Sequence, residues 1–447
     1  AIQTFTGAIG TADNRIGTLQ IGGITTDGGN GNFNGAVAVT NLNIAAGVES
    51  GELSLGTFAS NVNATTITLT SADATINATL ELDTTAAATV SGTIDGAVVN
   101  TGVLKVSGAN KIIDGVVGGS LDLLLVDLDA LTTFNSAVST KGLNLANGIL
   151  SHVKGDLTLG ADNGVLNNAT SQLFISGSGD QTITGELTGA TAETGIVDVT
   201  NAGGTVTFAS KLGDTQELKE VELNAGSTSI FNNTVETGIL DMVGTAVATF
   251  TTKANVANQI TLAATATLII DDSIVTTDEL FTTGAAQVDG NIAGTGNIKM
   301  PVNLDAGQNI VFLAGTTDAA DAAIVIDLQA AAMDTALKTY TVSAVDAGTD
   351  DEQITITAAD RTAVSVGTEL GATTNVGTAF LQAVQAATND SVADAVAEDG
   401  FANVLNAING FSTTADTDLA LQVAPQTDTI SGSSLATRAM TGTVQGI

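Results

Sequence analysis

One pattern limits what this chain can fold into: a short apolar–polar–apolar triplet that recurs along most of its length. Leu19-Gln20-Ile21, Leu42-Asn43-Ile44, Ile67-Thr68-Leu69, Leu143-Asn144-Leu145 and Leu157-Thr158-Leu159 are examples, and Gly, Asn or Asp breaks the run between them. In an extended strand alternate side chains point to opposite faces. The outer two residues of each triplet therefore share one face and the middle residue takes the other. In the middle of the chain the pattern acquires a period. Val197-Asp198-Val199, Val221-Glu222-Leu223, Leu240-Asp241-Met242 and Ile260-Thr261-Leu262 follow one another at steps of 24, 19 and 20 residues. After each of the first three a second short strand ends in a Phe: Phe208, Phe231 and Phe250.

A step of about 20 residues suits one coil of a parallel β-helix, in which each coil supplies short strands joined by corners. One coil cannot bury its own apolar face, so coils must stack, at about 4.8 Å each. The expected fold is therefore all-β, a parallel β-helix (β-solenoid), with Phe208, Phe231 and Phe250 pointing inward in successive coils. Residues 1–317 carry the solenoid repeat, on the order of 15 coils at this spacing. An array of β-sandwiches is the competing fold, since it also places strands every 8 to 12 residues. Two features favour the solenoid. Asn-Gly and Asp-Gly hairpin signals are few beside single Gly or Asn corners, and aromatics, at 3% of residues, are scarce for sandwich cores.

Beyond residue 317 the texture changes. Residues 319–332 are rich in Ala and Asp, and 338–345 and 353–356 read as strands, so 318–376 is expected to be a mixed β segment continuing the solenoid. From 377 the period becomes helical: Phe380, Val384 and Ala387 share a face, as do Val404, Ile408 and Phe411. Residues 377–447 are thus expected to form a short C-terminal α-helical module and linker.

Composition narrows the function classes. The chain has 12 basic and 47 acidic residues, a net charge of −35. Such a field repels nucleic-acid phosphates and anionic lipid heads, while it keeps a long repeat protein soluble and receptive to cations. No basic patch with interleaved aromatics offers a nucleic-acid surface. With no Cys, disulfides, thiolate nucleophiles and Cys-ligated metals are excluded. Ala1 opens directly in strand-like sequence without the charged and apolar regions of an export signal.

Catalytic constellations are thin. His152 is the sole histidine. It lies in Ile149-Leu150-Ser151-His152-Val153-Lys154 with no Gly-x-Ser-x-Gly elbow nearby, so a turn or surface role is expected, not a catalytic one. A phosphate-cradling Gly-x-x-x-x-Gly-Lys-Ser/Thr motif does not occur. Paired carboxylates do occur. Asp127 and Asp129 sit at strand spacing on one face, whereas Asp271-Asp272 and Asp350-Asp351-Glu352 form two further clusters that could hold calcium through oxygen ligands or serve as solvated loop charge. Sugar-cleaving β-helices pair carboxylates with aromatic or basic subsites, and one Tyr, no Trp and few Arg give little for such subsites.

Asp418-Leu419-Ala420-Leu421-Gln422-Val423-Ala424-Pro425 resembles the Leu-x-Gln-Leu-x-Pro stretch that closes the passenger of autotransporters, and Phe401-Ala402-Asn403-Val404-Leu405-Asn406-Ala407-Ile408 is similar to the short helix before it. The Thr/Asn/Gly-rich strands upstream resemble those of rickettsial outer-membrane-protein-B-like surface antigens. The specific overlap covers 377–433. The resemblance implies an exported, extracellular cell-surface passenger, structural or adhesive and not an enzyme, without a certain cofactor. Its partners would be other copies of itself in a coat, lattice or filament, and the surface of a host or neighbouring cell. Before release it would also engage an outer-membrane β-barrel. No run of barrel strands with aromatic girdles lies in the 447 residues, so a passenger separated from its barrel is expected, with the cleavage region in or before 431–446. The alternative from another class is a polysaccharide-acting or host-directed enzyme on a β-helix scaffold.

Overall fold

In a computed structural model, the described residues lie between 2 and 361. Omitted are 24–27, 48–52, 72–76, 272, 275–278, 283–291, 295, 301–306, 308, 317–337 and 346–351. The helical faces expected in 377–447 fall outside the described residues, as does the Ala/Asp-rich stretch. The described residues contain no helix. They form parallel sheets wound into a β-solenoid of about 11 turns. Two compact units divide the chain, the first built mainly from 1–267 and the second mainly from 268 onward.

In the first unit each strand pairs in parallel with its counterpart one coil later. One stack begins Ile2–Phe5, Asn30–Phe33, Ser54–Phe58, Ala78–Leu82, Val103–Val106 and Leu123–Leu128. Another runs Leu150–Val153, Gln172–Ile175, Thr194–Val199, Leu218–Leu223, Val235–Met242 and Ala254–Leu262. The sequence period is the coil period, because Val197 registers with Val221, Val221 with Leu240, and Leu240 with Ile260. The turns number fewer than 15 because corners elsewhere are longer: Val62 registers with Val90, a step of 28 residues.

The core is the set of inward outer-triplet residues. Leu42, Ile67 and Ile94 form one fully buried column. Phe208, Phe231 and Phe250 form another, their rings stacked at 5.0 and 4.8 Å. Those spacings equal the coil rise of about 4.8 Å, so each ring covers the next with no gap. Phe33 and Phe58 are stacked in the same way at 4.8 Å, and Phe5 lies 4.9 Å from Phe33.

Corners use the residues the sequence put there. Asn100, Asn110 and Asn163 adopt positive φ, a conformation Asn tolerates better than most residues. At Gly115 the chain passes so close to the coil beneath that an added Cβ would lie 1.7 Å from the Gly92 carbonyl oxygen. At Gly142 the long strand Val138–Leu145 serves two partners. Its first half pairs with Leu157–Leu159 and its second half with Gly164–Leu166, so one strand becomes two in the next coil.

In the second unit Glu279–Thr282 pairs in parallel with Asn309–Thr316. Asn309–Thr316 then pairs antiparallel with Glu352–Asp360, which in turn pairs antiparallel with Lys338–Val345. The 318–376 segment thus contributes a hairpin. Only six residues separate Val345 from Glu352, and a parallel crossover needs about a dozen or more, so the direction must reverse.

Candidate functional site on the outward sheet face

The middle residues of the triplets point outward, and the coil register stacks them. One outward column reads His152, Phe174, Asp198, Glu222, Asp241, Thr261. Beside it, two residues earlier in each strand, runs Leu150, Gln172, Ile196, Glu220, Ile239, Gln259. Four carboxylates therefore share one face within three consecutive coils.

Asp198 is the most enclosed of them, only 4% exposed. One carboxylate oxygen accepts a hydrogen bond from Gln172 Nε2 and the other from Asn224 Nδ2, both at 2.7 Å. Burial pushes its pKa up to about 6, and the neighbouring Glu222 and Glu220 add to the rise against the two amide donors. Glu220 is also raised, first by burial and then by Glu222 and Asp241. Burial raises Asp241 as well. At the adjacent corner Glu217 is raised by burial and by Glu193 and Glu236, and one of its carboxylate oxygens is buried without a hydrogen-bond donor.

His152 lies in the strand Leu150–Val153, not in a turn, and faces outward. Its ring stacks on Phe174 at 4.5 Å with the planes 10° apart. Burial, with Lys154 nearby, lowers its pKa, so the imidazole is neutral near pH 7. Because the two rings are stacked along the column, each covers a face of the other. Their edges, not their faces, are turned outward, and a sugar ring stacks on faces.

The other sheet carries a second polar ladder. Thr57 and Ser107 donate to the Glu81 carboxylate at 3.2 and 2.8 Å. Lys105 bridges Asp127 and Asp129 at 3.7 and 3.3 Å. Burial opposes the charge on Lys105, but Asp129 and Asp127 hold its pKa above the ordinary value. Asn144 donates to Asp127 at 2.6 Å, and Asn167 donates to Asn144 at 2.7 Å. Asp127 and Asp129 do share a face, as their spacing predicts, and they are joined there by a lysine.

The calcium candidates are not brought together by any described contact. The side chain of Asp271 accepts from the Ser273 amide at 2.9 Å, a local turn bond. Asp272, Asp350 and Asp351 lie outside the described residues, as does the Glu352 side chain, although its backbone opens a strand. Among the described residues no group of three or more His, Asp or Glu is arranged to hold a metal ion.

The acidic ladder was not anticipated from sequence, yet its signal was present. The period that aligned Val197, Val221 and Leu240 also aligns Asp198, Glu222 and Asp241. Comparison with known protein families, with curated proteins and with solved structures finds no match to this chain.

Proposed function

We propose that the chain is a secreted bacterial cell-surface protein of structural or adhesive kind: an autotransporter passenger, released from an outer-membrane β-barrel, that meets copies of itself and host or neighbouring cells. The observation that carries this reading is how the outward polar groups are spent. Asp198 gives both oxygens to amides from neighbouring coils, and Asp127 is held by Asn144 and Lys105. Side chains that could act on a substrate instead tie coil to coil, which suits a scaffold whose function is its repeated surface. The net charge of −35 and the passenger-like stretch at 401–425 support export.

The purified chain is expected to bind cell surfaces or to self-associate in sedimentation, and to cleave nothing in a broad glycan screen. Cleavage of any polymer by the pure chain would overturn the proposal. His152→Ala is expected to leave surface binding and self-association unchanged. Loss of either on that substitution would mean the single imidazole does chemistry that a neutral, Phe174-stacked ring does not explain.

One observation favours the enzymatic alternative. A carboxyl group with a pKa of about 6 beside a second carboxylate is what a general acid requires. On that reading Asp198 donates the proton to a glycosidic oxygen and Glu222 is its partner. Cleavage would then peak near pH 5–6 and fall roughly a hundredfold or more in Asp198→Asn.

A further inference from the structure

Five acidic groups in or beside three successive strands share one property. Asp198 belongs to Thr194–Val199, Glu220 to Leu218–Leu223, Glu236 and Asp241 to Val235–Met242, and Glu217 immediately precedes the second strand. Asp198, Glu220 and Asp241 share one outward face in coils about 4.8 Å apart, while Glu217 and Glu236 lie near each other at the adjacent corner. Around Asp198, the strand on one side offers uncharged Gln172 and Phe174, with the neutral His152 one coil further. The strand on the other side offers Glu220 and Glu222, with Asp241 beyond them. Cations do not balance this set. Lys219 lies beside Glu220 but donates to the Ala169 carbonyl oxygen at 3.2 Å, and Lys211 is paired with Asp214 at 2.8 Å. Lys211 and Lys253 reach Glu236 only as minor opposing influences, after burial and Asp214.

We propose that these three coils are a proton-operated latch, loosened at neutral pH by the cost of keeping half-buried, stacked carboxylates ionised beside one another and tightened when mild acid neutralises them. The contrast with the other ladder supports this: there Lys105 neutralises Asp127 and Asp129 within the stack. The latch is a property of the coil stack and holds whether the surface is adhesive or enzymatic.

The direction follows from proton linkage. Asp198, Glu217, Glu220, Glu236 and Asp241 all keep their protons to higher pH in the folded chain than the ordinary carboxylate range. Holding them ionised therefore costs the folded state stability at neutral pH, for Asp198 above about pH 6. That cost fades as the pH falls through about 6 toward the unfolded value of 3.8. The coils should be firmer at pH 5 than at pH 7.5, the opposite of ordinary acid denaturation.

Amide hydrogen exchange, corrected for the intrinsic effect of pH, reads the latch locally. Protection of 194–199, 218–223 and 235–242 is expected to rise about tenfold or more from pH 7.5 to pH 5, relative to the strand Leu123–Leu128. An equal rise in all strands would reflect only the overall net charge and would overturn the proposal. In Asp198→Asn the three strands should already be protected at pH 7.5 and should change less with pH. A wild-type pH response in that variant also overturns it. Glu222→Gln provides a second route should Asp198→Asn fail to fold. Removing that neighbour should move the transition to lower pH, and an unmoved transition counts against the latch.

Discussion

Phe231→Ala is expected to lower the unfolding free energy by roughly 3–5 kcal/mol, measured by equilibrium denaturation with urea. The ring is 0% exposed and is covered on one face by Phe208 at 5.0 Å and on the other by Phe250 at 4.8 Å. Truncation removes a buried aromatic surface and leaves a cavity. Coils above and below are tied by main-chain ladders on both sides, at Phe208–Phe231 and Phe231–Phe250, so they cannot collapse into the gap. Phe5 supplies the internal comparison. It stacks on Phe33 at 4.9 Å but remains 42% exposed and leaves no closed cavity when truncated, so Phe5→Ala should cost about 1–2 kcal/mol by area alone. Equal losses at the two positions would mean that stacking in the interior is not the source of the effect.

The ease with which Phe231 was found in the sequence has a physical basis. A solenoid repeats one environment every coil, so a residue's role can be read from the residues one period away. The triplets at 197, 221, 240 and 260 share a spacing, and the fold places them in one register. The same spacing made Phe208, Phe231 and Phe250 legible as one inward column. What was not legible breaks the repeat or depends on where side-chain ends go. The split of Val138–Leu145 at Gly142 turns one strand into two, and no local signal distinguishes that glycine from a corner. The hairpin Lys338–Val345 and Glu352–Asp360 was readable as strands but not in its direction. That depends on the length of the connection, not on the strand pattern. Asp198 was seen as the middle of a triplet, while its burial depends on Gln172 and Asn224, 26 residues away in either direction. His152 read as a turn or surface residue but lies in a strand, and its stacking on Phe174 needed the register between Leu150–Val153 and Gln172–Ile175.

Lys111 is the extreme case, and its replacement by Met is expected to cost roughly 2–4 kcal/mol in the same denaturation assay. Read from sequence, a lysine opening a short strand belongs in solvent. The register instead aligns Lys111 with Ala88 in one neighbouring coil and Thr132 in the other, both buried, and leaves the lysine only 1% exposed. Its amino group turns toward a corner and donates to the carbonyl oxygens of Thr84, Ala86 and Ala109 at 2.6, 2.8 and 2.7 Å. Three donors meet three acceptors, so the tip of the side chain is fully used. Gly108 beside it leaves room for this, since a Cβ there would lie 1.9 Å from the Thr84 oxygen. Burial lowers the Lys111 pKa, with Asp83 opposing, so the site is costly for the charge it holds. Met fills a similar volume and relieves that cost, but it offers the carbonyls no donor. Main-chain acceptors cannot be replaced by an apolar isostere, unlike the partner in a side-chain pair, so their loss is not compensated. Lys105→Met is the comparison, since Lys105 is 36% exposed and its partners Asp127 and Asp129 can turn to water. It should cost about 0–1 kcal/mol. A neutral or stabilising Lys111→Met would mean that desolvation of the ammonium already consumes what its three hydrogen bonds supply.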